Sequence, residues 1–189
     1  MKRTLLSIAL CMTFIVGLQT PASAIALFLA TSTIAIQQTG ESPYTDKELG
    51  IQFLVPAGWE VEKDKEGNLT VSKSDGNKFI VAAITTLPPE AAQLSPQAQL
   101  KAFSEGVFSN AKKEFKGLKL DEPAKGTLNG MTTLYQSFRA KSDGEDVAGL
   151  LILFSTDKPV IIYIYGSANL PNDFDKQVDK MINSVKKIE

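Results

Sequence analysis

Hydrophobic and polar positions alternate with a period of two along much of the chain, and each alternating run predicts a strand. Ile51, Phe53 and Val55 alternate with Gln52 and Leu54, a strand buried mainly on one face and stopped by Pro56, which has no N–H to give to a ladder. Residues 59–62 and 69–72 flank a polar turn at 63–68 and predict a hairpin. Asp75, Gly76 and Asn77 tolerate positive φ, so they predict a second turn leading into a strand over 79–87. Further strands are expected at 118–120, 131–140, 147–155 and 160–166. The connections at Asn129-Gly130, 142–146 and 157–159 are far shorter than a parallel crossover, so the C-terminal strands are expected to form an antiparallel meander. The runs VAGLLILF and VIIYIY are apolar at both parities. A strand of that kind is covered on both faces.

A period of three to four residues replaces the period of two in two places. Ser95 before Pro96 reads as an N-cap with proline at the first helical position, and Leu100, Phe103, Val107, Ala111 and Phe115 then recur at helical spacing. This predicts a long amphipathic helix ending near Gly117, with Lys112, Lys113 and Lys116 in its last turns where cations favour the dipole. A second helix begins after Pro171, capped by Asn172 or Asp173, with Asp175 in its first turn and Phe174, Val178, Met181, Ile182 and Val185 on one face. A short helical turn is expected at 89–93. The fold class is therefore α+β: an α/β/α sandwich with a central, mostly antiparallel sheet of about six to seven strands and one long amphipathic helix on each face.

The N-terminus departs from this pattern. Lys2 and Arg3 precede an apolar stretch from Leu5 to Leu18 and the small-residue sequence Ala22-Ser23-Ala24, a secretory signal peptide over 1–24. Leu10 precedes Cys11 deep inside the apolar stretch, where a lipoprotein would need small residues, so no lipid anchor is expected. The apolar segment IALFLATSTIAI, residues 25–36, follows. It is either a strand or mobile leader, or a tether for peripheral membrane or partner association. Residues 37–43 read as a linker, and a single globular domain is expected over 44–189, in the periplasm, secreted or in a thylakoid lumen.

Charge and composition narrow the function further. The formal net charge is −1, and loss of Lys2 and Arg3 with the signal takes it to −3, which offers no electrostatic footprint for nucleic acid. The chain has no His, and its one Cys leaves with the signal. This removes disulfides, Ser-His-Asp triads and the commonest transition-metal ligand.

Gly50, then Pro56 after five residues and Trp59 after two more, preceded by Tyr44 and followed by a hairpin, resembles the opening motif of the PsbP-like superfamily. That group includes extrinsic PsbP proteins of photosystem II, periplasmic DcrB-like proteins and a Ran-GTPase-binding branch. The resemblance implies a binding module and carries over no catalytic residue, cofactor or metal. On it, Gly50, Pro56, Gly58 and Trp59 are structural markers of the fold, with Gly58 permitting a tight corner.

The other candidate chemistry is sparse. The turn 143–146 is acidic but lacks Ca²⁺-loop spacing, and a hairpin uses such residues anyway. A hydrolase built on Ser72-Lys73 or Lys141-Ser142 would need neighbours that a strand points to opposite faces. Tyr163 and Tyr165 share one strand face, as a buried rim or as an exposed contact pair. The leading expectation is an exported, non-enzymatic module that binds another protein. A small-ligand carrier with a pocket between sheet and helix is the alternative.

Overall fold

The computed structural model describes residues 36–37, 40–76, 78–110, 115–170 and 172–188. The signal peptide and residues 25–35 of the apolar segment lie outside the described residues. In the N-terminal half, β1 (Ile36–Gln37), β2 (Ser42–Asp46), β3 (Ile51–Val55), β4 (Glu60–Lys63), β5 (Leu69–Asp75) and β6 (Lys78–Thr86) lead to α1 (Pro89–Ala92) and α2 (Pro96–Asn110). There follow β7 (Phe115–Leu120), β8 (Ala124–Leu128), β9 (Met131–Ser142), β10 (Glu145–Ser155), β11 (Pro159–Ser167), α3 (Asn172–Asn183) and β12 (Lys186–Lys187).

Among the described residues nine strands form one sheet in the order β1-β4-β5-β6-β11-β10-β9-β7, with β8 also pairing β9, and every pairing is antiparallel. The predicted meander is β9-β10-β11. The turns at the two ends of β9 follow from residues that accept positive φ. Asn129 (φ 47°) and Gly130 (φ 80°) join β8 to β9, and Asp143 (φ 51°) and Gly144 (φ 86°) join β9 to β10. Both are two-residue hairpin turns whose twist matches that of the strands.

Side-chain alternation along β10 and β11 divides the core in two. Leu151, Leu153, Ile161 and Tyr163 pack with Leu100, Phe103, Val107 and Phe108 of α2. Ile152, Phe154, Val160, Ile162 and Ile164 face the other way, toward Phe174 and Met181 of α3 and Ile51, Phe53 and Val55 of β3. A helix does lie on each face of the sheet, as expected of strands apolar at both parities.

Several details differ from the sequence reading. The sheet has nine strands, and β3 is not in it: β3 pairs β2 and β12 in a separate three-stranded sheet. Period-two patterning reports a strand but not its partner. Ser42 and Pro43, read as linker, belong to β2, and Ile36 and Gln37 pair with Val61 and Glu60. The two long amphipathic helices are not found, both helices being shorter than expected. α2 covers 15 residues and α3 covers 12.

The first helix was expected to reach Gly117, yet Phe115 and Lys116 lie in β7. Phe115 misled because its ring joins the same core cluster from a strand that it would have joined from a helix. Ala111, Lys112 and Lys113 lie outside the described residues. Val185, placed on the second helix, is buried just beyond it. Ser95 caps α2 as expected, its Oγ accepting the Ala98 N–H at 3.4 Å.

One irregularity shapes a surface. Lys116 pairs Lys141 and Lys119 pairs Arg139, so Gly117 and Leu118 together oppose the single residue Ala140. This is a bulge, with Gly117 at φ 62° in the left-handed region that glycine adopts at no steric cost. Residues three apart on a regular strand point to opposite faces. The bulge adds one step, and Lys116 and Lys119 come to share a face with Arg139 and Lys141.

Candidate functional site

The Pro-Ala-Gly-Trp corner is a turn in which the Trp59 N–H donates to the Pro56 carbonyl at 3.3 Å and Gly58 takes φ 76°. It delivers the Trp59 side chain into the core with 0% exposure. There the indole Nε1–H donates to Gln177 Oε1 of α3 at 2.6 Å. Lys73 of β5 reaches the same oxygen at 3.3 Å and lies 4.7 Å over the Phe174 ring, so the turn before β4 and a strand of the large sheet both hold one helix. Gly50 (φ 70°) gives its carbonyl to the Ile188 N–H at 3.1 Å, and a Cβ there would press on Thr156 Oγ1 at 3.1 Å.

Tyr163 and Tyr165 share a face and stack at 5.1 Å with 17° between the rings. Their surroundings differ. Tyr163 is buried against Phe138, while Tyr165 is half-buried, edge-on to Phe79 and Phe115.

The charged groups with a clear internal role surround Asp46. Its buried carboxylate accepts the Glu48 and Leu49 N–H groups through Oδ1, both at 3.0 Å, and the Lys63 ammonium through Oδ2 at 2.8 Å. Burial alone would raise this carboxyl, but the Lys63 hydrogen bond, the two backbone donors and the Lys63 charge outweigh it and hold the pKa below the ordinary value. The group binds its proton more weakly folded than unfolded. Its stabilisation is therefore complete above about pH 4 and is lost as pH falls through the lowered folded value. In acid-unfolding titrations, Asp46→Asn is expected to be less stable than wild type at pH 7, with the difference shrinking toward pH 2; a gap that persists at low pH would assign the effect to packing.

The Ser-Lys pairs are not assembled. Lys73 is occupied with Gln177, and Lys141 with Asp146 at 3.1 Å. Asp143 serves the hairpin turn, and Asp173 and Asp175 lie in the first turn of α3. Among the described residues no group of three or more acidic side chains is placed to hold a metal ion.

Two features were not singled out from sequence. The first is the strip of β7 and β9 facing the α3 side, where Lys116, Lys119, Arg139 and Lys141 are all exposed and Tyr135 is 40% exposed. Alternation on β9 alone would have aligned Tyr135, Arg139 and Lys141, but the two β7 lysines join them only through the bulge. The second is a cleft of about 260 Å³ between α3 and the sheet, floored by Ile80, Leu150 and Ile164 and walled by Val178 and Ile182.

No protein-family model matches the chain, and no curated protein matches it in sequence. Solved structures do. Cyanobacterial PsbP (CyanoP) from Synechocystis sp. PCC 6803 superposes with a TM-score of 0.59 at 13% identity, covering 89% of this chain and 98% of that one. The fold is PsbP-like. LpqN of Mycobacterium tuberculosis, a protein involved in cell envelope biogenesis, gives a TM-score of 0.51 at 16% identity over 79% of this chain and 91% of its own. Identity this low speaks to the fold alone. Within the PsbP-like frame, the basic strip and the cleft are the places where chemistry has to be argued from this chain's own residues.

Proposed function

We propose that this chain is an exported, non-enzymatic module that binds another protein through the uncovered face of β7 and β9. The observation that carries the reading is the gathering of Lys116, Lys119, Arg139 and Lys141 on one exposed face of a chain whose net charge is −1. Asp146 offsets Lys141, and Asp121, which accepts a hydrogen bond from Ser137, borders the strip. The balance stays positive. Such a face steers an acidic partner and sets its orientation, with Tyr135 as an aromatic anchor at one end.

Lysines and a bulge on an edge strand also ward off unwanted strand addition. That accounts for Lys116 and Lys119 but not for Arg139 and Lys141, which lie on a strand paired on both sides. Export rests on the signal-peptide pattern of residues 1–24. Ile36 ends the apolar segment and pairs with Val61, so a membrane contact made by residues 25–35 would hang from the β4 edge. The alternative of a small-ligand carrier is supported by the cleft.

The test is cross-linking capture from an extract of the cell envelope or lumen, with wild type beside a K116E/K119E double variant. Capture of an acidic protein by wild type is expected to fall roughly tenfold in the variant and to weaken with added salt. Equal capture by both proteins would refute the assignment of this face.

A further inference from the structure

α3 turns one stripe of its surface toward the cleft. Val178 and Ile182 are the apolar part of that stripe, over a floor that includes Leu150 of β10 and Ile164 of β11. Ala148 and Gly166, cross-strand partners on the same two strands, keep one end of the cleft open because neither carries a large side chain. Asp175, Asp179 and Asn183, residues with oxygen-bearing side chains at successive turns of α3, also line it. Among the described residues no Lys or Arg does.

Asp179 has no structural account of its own. Asp175 lies in the first turn, where the helix dipole favours an anion, but Asp179 lies one turn further on, where that effect has faded. Residues four apart are neighbours on a helix, and like charges at that spacing destabilise it. Lys180, next to Asp179 in the chain, is bonded to Glu41 at 2.6 Å. Neither aspartate has an ion-pair partner among the described residues. Two uncompensated carboxylates thus border an apolar cleft.

We propose that this cleft binds an aliphatic diamine, its two ammonium groups on Asp175 and Asp179 and its methylene chain on the apolar floor. Charge complementarity selects the cation, and alkylammonium groups stay protonated at neutral pH as lysine does. The floor selects methylenes over a hydrated metal ion, since burying them removes apolar surface of both from water. Spacing selects the length. Four residues of helix rise roughly 6 Å, and the nitrogens of extended 1,4-diaminobutane lie roughly 6 Å apart. At about 260 Å³ the cleft falls below the roughly 300–1,000 Å³ of pockets that take drug-sized ligands, which suits so short a chain. The inference takes up the small-ligand alternative and shares no residue with the face of β7 and β9, so either can fail without the other.

Calorimetric titration of the purified full chain with 1,4-diaminobutane, 1-aminobutane and succinate tests it. The diamine is expected to bind, the monoamine to bind about tenfold more weakly, and succinate, a dianion of similar length, to give no heat. Asp175→Asn and Asp179→Asn, both at exposed positions, are each expected to lower diamine affinity roughly tenfold. Asp173→Asn, at an exposed position outside the cleft lining, is expected to bind like wild type. The absence of heat from the diamine at millimolar concentration would overturn the proposal, as would a monoamine or succinate bound equally well. So would an Asp179→Asn protein that binds like wild type, or an Asp173→Asn protein that loses as much affinity, which would reduce the effect to the general charge of the surface. All three substitutions lie on exposed side chains of one helix, and thermal melts that match wild type verify that each variant is folded.

Discussion

Trp59→Ala will destabilise the domain by roughly 3–5 kcal/mol, the range for truncating a fully buried aromatic side chain. At this chain length such a loss lowers the melting temperature by roughly 6–20 °C. Two effects combine. The indole has 0% exposure, so its removal leaves a cavity at the centre of the cluster formed by β3, β4, β5 and α3. It also leaves Gln177 Oε1 with Lys73 alone at 3.3 Å, which loosens the helix from the sheet. Trp59→Phe should recover most of the packing but not the hydrogen bond, and lie between the two. Thermal melts of the three proteins decide the matter: a loss below about 1 kcal/mol for Trp59→Ala, accompanied by a binding defect, would reassign this residue from core to contact.

Gly149→Val will cost about 3 kcal/mol, toward the upper end for overpacking, because one of the groups in its way is backbone. A Cβ at position 149 would overlap the Ile164 carbonyl oxygen and the ring of Phe138. Gly149 is the register partner of Phe138 on one side and Tyr165 on the other, and all three face α2. The missing side chain makes room for the Phe138 ring, which then packs with Phe108 at 4.9 Å and Tyr163 at 5.7 Å. Any side chain at 149 has to displace that ring and distort the pairing of β10 with β11. A urea midpoint unchanged from wild type would show that the ring does not lie over Gly149.

The readable and unreadable parts of this chain divide along a physical line. Turns such as Asn129-Gly130 and Asp143-Gly144 were legible because a positive φ is a property of one or two residues. The double coverage of β10 and β11 was legible because a strand apolar at both parities would leave one apolar face in water unless both were covered. Phe115 was misread because an apolar residue at a helical interval from Val107 and Ala111 is also one that a returning strand can bring to the same core. The candidate contact pair was half legible: alternation placed Tyr163 and Tyr165 on one face, but only packing distinguished the buried ring from the half-buried one.

By itself the sequence determined the α+β class, the antiparallel meander and the helix on each face, because each depends on local dihedral preference or on a periodic pattern within one element. The tertiary structure alone decided that β3 leaves the main sheet and that a bulge at Gly117 brings four cations onto one face. Those features depend on which strands become neighbours and in what register, and the free energy that fixes register comes from contacts between residues far apart in the chain.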